Sequence, residues 1–247
     1  MHACLTYVYC TEKVAAQRAV LLKYAQLFGA PIGVQLYDWA NESLYYPEPT
    51  NRSETASSFT FPSRWPPQEG WDWADLRRQG VHVLPYVNSE ADNTGDANWL
   101  KDRGPASAIR DSAGKTLGVG DGGSVAMCAS QLTWHLRLLN ASMRLIEAGA
   151  SGIYMDQSGN QGSIGCFAHG HNHTQGGGDY GAQGLIRMFS SIQSAIRSAR
   201  PGAILAGEVP PEYLLSAIDL RLLHFNYWPG TVPLMQSIFS GYTTRCS

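Results

Sequence analysis

A single parallel (β/α)-barrel of the α/β class, of the TIM (β/α)8 type, is the fold the sequence predicts, and three observations predict it. Short apolar runs alternate with amphipathic stretches along the chain, the signature of buried parallel strands joined by helices. The long polar segments follow the C-terminal ends of strands, where barrels carry their active-site loops. The 247 residues match one such domain, which typically needs about 250.

Each element has its own signal. Residues 5–9 read as a short first strand. Residues 13–28 carry Val14, Ala15, Ala19, Val20, Leu22, Ala25, Leu27 and Phe28 at helical spacing, closed by Gly29. Residues 31–39 (PIGVQLYDW) form the second strand, and the Pro-, Ser-, Thr- and Asn-rich residues 40–70 a long loop at its C-terminal end. A short helix over 73–79 leads to the third strand, 81–88 (VHVLPYVN). A second polar loop covers 89–124 and holds a hairpin turn at 110–115. The strongest helix spans 131–148, with Leu132, Leu136, Leu139, Met143, Leu145 and Ile146 on one face. Strand 151–157 (SGIYMDQ) follows, then a Gly- and His-rich loop to Gly181 and a helix over 185–200 stopped by Pro201-Gly202. Strand 203–208 (AILAGE), a short helix over 211–217 and strand 220–227 (LRLLHFNY) complete the series.

That makes about six strands, whereas a closed barrel needs about eight. After the apolar residues 232–239 no terminal helix follows before Cys246-Ser247. The expectation is therefore one domain over 1–247, a barrel short of its last units. A doubly wound open sheet is the alternative, but no phosphate-loop pattern supports it, and the G-x-G-x-x-G match at residues 118–123 lies inside a polar loop rather than between a strand and a helix.

Composition excludes several classes of function. The net charge of -2 gives no electrostatic attraction to nucleic acid or to an anionic membrane. No apolar run approaches the roughly 20 residues of a membrane span. Charged residues are only 15%, so Ser, Thr, Asn, Gln and Gly must build the polar surface, which suits carbohydrate-handling proteins. No signal peptide is visible at Met1-His2-Ala3-Cys4. Four N-x-[ST] triplets, at Asn41, Asn51, Asn140 and Asn172, together with five cysteines whose spacing fits no zinc framework, favour an extracellular glycoprotein.

Strand ends hold polar residues for which a core has no use. Asp38 ends the second strand, Asp156-Gln157 the fourth and Glu208 the fifth. A barrel strand is buried on both faces, so a carboxylate at its C-terminal rim points to catalysis or ligand binding; for Asp38, a structural role as a helix cap or Arg partner is the competing reading. Asp156 with Glu208 suits glycosidic cleavage, in which one carboxylate attacks or stabilises the anomeric carbon and a protonated second one feeds the leaving oxygen. Aromatic residues crowd the same ends: Tyr37, Trp39, Tyr86, Tyr154, Tyr180, Tyr227 and Trp228. They offer faces for sugar stacking or rim packing. Asn88 and Asn226 are expected to donate to substrate or to a catalytic carboxylate. The loop over 166–180 carries His169, His171 and His173. Alternating histidines could ligate a metal; hydrogen bonding of His169 and His171 to sugar is the preferred reading, with no metal and no cofactor. No G-x-S-x-G nucleophile motif occurs.

Residues 152–157 (GIYMDQ), Cys166, His169-Gly170-His171, residues 176–180 (GGGDY), 203–208 (AILAGE) and Glu212-Tyr213-Leu214 with Asp219 together resemble an uncharacterised family of (β/α)-barrels related to retaining glycoside hydrolases, a group that includes α-amylase-like and endo-α-N-acetylgalactosaminidase-like barrels. The resemblance covers roughly residues 30–240, including Tyr37-Asp38-Trp39 and Pro85-Tyr86-Val87-Asn88. It implies Asp156 as nucleophile and Glu208 as general acid/base on strands four and five. The chain departs from the family pattern at its C-terminus, where the last two strands are expected to be absent.

The resulting expectation is a glycoside hydrolase with a two-carboxylate mechanism. Asp38, Trp39, Tyr86, Asn88, Gln157, His169, His171 and Asn226 would contact the carbohydrate. A non-catalytic glycan-binding or structural protein on the same barrel is the alternative, and a metal-dependent hydrolase using the His loop is a third reading. Open barrel edges would call for self-association or for a second chain to cover them.

Overall fold

The computed structural model describes residues 5–8, 14–37, 39, 72–95, 99–101, 103–119, 123–159, 164–222, 238 and 244–246. In chain order the elements are β1 (Leu5–Val8), α1 (Val14–Phe28), β2 (Ile32–Leu36), α2 (Trp73–Arg78), β3 (Val81–Asn88), β4 (Ala91–Asn93), α3 (Gly104–Ser107), β5 (Gly118–Val119) and β6 (Ser124–Ala126). Then follow α4 (Leu132–Glu147), β7 (Gly152–Asp156), α5 (Tyr180–Ala199), β8 (Ile204–Glu208), a single 3-10 turn over Glu212–Leu214, β9 (Leu220–Leu222) and β10 (Thr244–Cys246). The 40–70 loop lies outside the described residues.

Seven strands form one sheet in the order β1-β2-β3-β7-β8-β9-β10, and every neighbouring pair is parallel. The architecture is an incomplete TIM-type barrel with its helices on the outside. Among the described residues it has one strand more than the roughly six read from sequence. Thr244–Cys246 pairs with β9, and three residues of mixed polarity give too short a pattern to read as a strand.

Alternation along the strands separates two cores. Leu84 and Tyr86 of β3, Tyr154 of β7, Ala206 of β8, and Leu220 and Leu222 of β9 fill the barrel interior. The intervening Val83 and Val87, Ile153 and Met155, and Leu205 pack outward against Leu138 and Leu145 of α4 and Phe189, Ile192 and Ile196 of α5. This is the period of two expected of strands whose faces are both covered. Each fully buried aliphatic or aromatic side chain contributes roughly 1.5–3 kcal/mol. Pro85, which has no N–H to give to a ladder, sits opposite Leu36 at the last β2–β3 register position.

The polar loop of 89–124 holds more structure than its composition suggests. Strands β4, β6 and β5 form a small antiparallel sheet within it, and the hairpin turn is built by Asp111, whose carboxylate accepts from the Ala113 and Lys115 amides. Arg137 of α4 reaches this sheet through a 3.2 Å ion pair with fully buried Asp92. Helix α4 ends at Gly149, whose φ of +114° favours glycine and whose position leaves no room for a Cβ, since one would stand 2.9 Å from the Ala74 amide of α2. Helix α5 begins at Tyr180 rather than at residue 185. Its early glycines lower intrinsic helix propensity, yet Gly184 is required where α5 crosses the chain after β6, because a Cβ would lie 2.2 Å from the Ala129 carbonyl oxygen.

Two histidines couple this fold to pH. Burial, with a smaller push from Arg77, lowers the pKa of His82 below its ordinary 6.5. Burial likewise lowers that of His135, with Arg187 adding to the effect and the Ala129 carbonyl opposing it. The unfolded chain then binds more protons than the native one as pH falls below 6.5, so stability is lost over that window. Urea melts recorded at descending pH are expected to show falling midpoints below 6.5, with a shallower slope in His82→Gln and in His135→Gln.

Candidate active site

The interior-facing set of the barrel ends, at the C-terminal rim, in polar residues. Asn88, Asp156 and Glu208 continue the alternation of Tyr86, Tyr154 and Ala206 on β3, β7 and β8. Register places Asn88 opposite Asp156. Met155 stands opposite Gly207, so Asp156 and Glu208 come one step further on adjacent strands, and Glu208 lies opposite Leu222 of β9. Adjacent strands run about 4.8 Å apart, so two carboxylates from neighbouring strand ends share one mouth.

Each carboxylate is held by its neighbours. The Tyr86 hydroxyl donates to Asp156 Oδ2 at 2.5 Å. Its phenol is pushed well above the ordinary value, first by burial and then by the Asp156 charge beside it, so Tyr86 stays a proton-bearing donor at any working pH. The Tyr86 ring stands 4.5 Å from that of Tyr37 and 6.1 Å from that of Tyr154, and its carbonyl accepts from the Trp39 indole at 2.6 Å. The Asp156 main-chain carbonyl accepts from the Ser89 amide and hydroxyl. Across the mouth, the Gln157 amide donates to Glu208 Oε2 at 2.9 Å, and the Ser158 hydroxyl donates to the Glu208 carbonyl at 2.6 Å.

The backbone is strained where this happens. Of the three non-glycine residues with positive φ among the described residues, Gln157 (54°) directly follows Asp156 and Val209 (38°) directly follows Glu208. Such conformations cost on the order of 1–3 kcal/mol each and persist where surrounding structure holds them. At Gln157 the turn aims the amide at Glu208.

The other sequence-predicted contacts divide. Asn88 donates to Gln157 Oε1 at 2.9 Å and to the Tyr86 hydroxyl at 3.3 Å, while its own carbonyl oxygen accepts the Glu90 and Ala91 amides. It therefore touches the residues that touch the carboxylates. Trp39 is only 2% exposed, which makes it a support beneath Tyr86 rather than an open stacking face. Asp38 and Asn226, with Tyr227 and Trp228, lie outside the described residues.

The His loop is organised differently from the sugar-binding expectation. His171 Nδ1 lies 3.4 Å from Cys166 Sγ, and its Nε2 2.8 Å from the Ala106 carbonyl. His173 Nε2 lies 3.4 Å from Cys128 Sγ, and its Nδ1 2.8 Å from the Thr174 carbonyl. His169 has its Nδ1 2.9 Å from Gln175 Nε2 and, together with His171, lines a cavity of about 400 Å³ beside Arg103, Arg110 and Gln131. Neither Asp156 nor Glu208 lines that cavity. Cys128, Ser89 and Ser158 were not legible as site residues. Nothing in the spacing links Cys128 to the His loop; only the crossing of α5 over the chain after β6 brings them together.

Two carboxylates at the mouth of a parallel barrel are an arrangement that could act on a glycosidic bond. The chain belongs to the family described as a domain of unknown function, DUF6259, which matches residues 5–246. A protein of Monosiga brevicollis named as a candidate glycoside hydrolase is 24% identical over 245 residues, covering 90% of this chain and 20% of that protein. One from Bacteroides thetaiotaomicron, similarly named, is 22% identical over 236 residues and covers 90% of this chain and 33% of its own length. The chain thus spans between a fifth and a third of these curated relatives. An α-N-acetylgalactosaminidase of Bifidobacterium bifidum, solved with N-acetylgalactosamine, superposes with a TM-score of 0.67 at 13% identity, covering 98% of this chain and 42% of the other. That likeness establishes the fold.

Proposed function

We propose that this chain is the catalytic barrel of a glycoside hydrolase that cleaves an O-glycosidic bond through two carboxylates, with Asp156 as nucleophile and Glu208 as general acid/base. The observation that carries the reading is the placement of both groups on adjacent strands of one rim, each held by a dedicated donor. In the first step an Asp156 oxygen bonds to the anomeric carbon as the bond to the leaving oxygen breaks, and Glu208 gives that oxygen its proton. In the second, Glu208 takes a proton from water, the water oxygen bonds to the anomeric carbon, and the Asp156 carboxylate departs with net retention. The likeness to an α-N-acetylgalactosaminidase supports α-linked hexosaminides and galactosides as first substrates to try.

The test is turnover of a panel of aryl α- and β-glycosides by the purified chain, by Asp156→Asn and by Glu208→Gln. Wild-type cleavage lost in both variants supports the proposal; undiminished cleavage in either overturns it. Saturable glycan binding without any cleavage would favour the glycan-binding alternative.

Tyr86 refines the scheme. Its hydroxyl stabilises the Asp156 carboxylate as that group leaves the sugar, so Tyr86→Phe should slow the second step. A hydrogen bond to a charged group is worth about 1.5–3 kcal/mol, or roughly 10- to 150-fold in rate. The expected signature is a burst of released aglycone followed by a slower steady state.

A further inference from the structure

We propose that Cys128, Cys166, His171 and His173 form a structural zinc site that pins the loop between β7 and α5 to the chain leaving β6. The four candidate ligand atoms, two Sγ and one ring nitrogen from each histidine, all lie within 4.8 Å of one another. Cys128 Sγ lies 3.4 Å from His173 Nε2, and Cys166 Sγ 3.4 Å from His171 Nδ1. Zinc–sulfur bonds of about 2.3 Å and zinc–nitrogen bonds of about 2.0–2.1 Å in a tetrahedron place sulfur and nitrogen roughly 3.6 Å apart, so the cluster has the dimensions of an S2N2 zinc site.

The surroundings fit the same ion. A ligating histidine gives its second ring N–H to an acceptor, which fixes tautomer and ring orientation. Here His171 Nε2 meets the Ala106 carbonyl and His173 Nδ1 meets the Thr174 carbonyl, leaving Nδ1 and Nε2 respectively to face the sulfurs. The Ser130 hydroxyl stands 3.1 Å from Cys128 Sγ, and Tyr180 stacks on the His173 ring with centroids 3.8 Å apart. Both cysteines are fully buried and free of disulfides. Thiolate and imidazole ligands without a carboxylate select zinc over magnesium or calcium. Four protein ligands close the coordination sphere, which marks a structural site rather than a catalytic one. The pinned loop is the one that follows Asp156, and the site does not depend on the glycosidase reading.

Metal analysis of the purified, reduced chain reconstituted with zinc and freed of excess ion tests this directly. About one zinc per chain is expected, with stoichiometry falling to near zero in Cys166→Ser and His173→Ala and unchanged in His169→Ala. Cobalt in place of zinc should give the visible absorption of a tetrahedral site with thiolate ligands. Removing zinc from the wild type with a chelator should lower its melting temperature, a readout that does not depend on any variant folding. Wild-type protein that takes up no zinc under reducing conditions, or one whose Cys128 and Cys166 are found joined in a disulfide, overturns the proposal. Neither result bears on whether Asp156 and Glu208 cleave glycosides.

Discussion

Replacing Asp156 with alanine is expected to lower turnover of an aryl glycoside by on the order of 10⁴–10⁶-fold, the range seen when a residue that acts as a unit with its partners is removed. Replacing Glu208 with alanine should cost about 10²–10⁴-fold on a poor leaving group, the usual worth of a positioned acid or base. The two losses should also differ in kind. A good leaving group needs no proton, so the first step in Glu208→Ala is largely restored by a dinitrophenyl aglycone, and the slow step becomes water attack on the intermediate. Azide, which needs no general base, then attacks in place of water and yields a glycosyl azide of retained configuration. In Asp156→Ala, azide can occupy the vacated space and attack the substrate directly, giving the inverted glycosyl azide. Product analysis by NMR separates these outcomes. Identical azide products from the two variants would overturn the assignment of roles even if both variants were slow.

Arg137→Met should be the most destabilising of the conservative changes away from the rim. Arg137 pairs with Asp92 at 3.2 Å, with side-chain exposures of 7% and 0%. Removing one partner of a buried pair costs about 3–5 kcal/mol, because the remaining charge keeps its desolvation penalty. For a domain of this size that corresponds to a melting temperature lower by roughly 6–20 °C. The loss joins α4 to β4, so the inserted β4-β6-β5 sheet should become the first region to exchange amide hydrogens. A second change, Asp92→Leu, should recover part of the loss by removing the buried charge that Arg137 pairs with. A double variant less stable than the sum of the two singles would contradict this account.

The barrel was legible because its strands are apolar, bounded by glycine or polar residues, and separated by helices with clear apolar faces. Residues 152–156 and 203–208 each end in a carboxylate, and strand parity then dictates that both face one mouth. What stayed hidden depended on contacts distant in sequence. Gly181 and Gly184 lowered the helical signal of α5, although Gly184 is set there by the Ala129 carbonyl. The small β4-β6-β5 sheet is built of strands two or three residues long, too short for any periodicity. The histidines of the loop were visible as a group with Cys166, but the second sulfur, Cys128, depends on a helix crossing that spacing does not encode. Trp39 stayed open between a sugar platform and rim packing, because composition cannot tell a rim aromatic from one buried beneath it.

The Asn88–Gln157–Glu208 chain of hydrogen bonds ties the ends of three consecutive barrel strands to one another without using any residue of the loops beyond Gln157. The spacing of the two carboxylates therefore depends on the strand ends alone, and on the proposed reading a change in the loop after β7 should leave that spacing fixed.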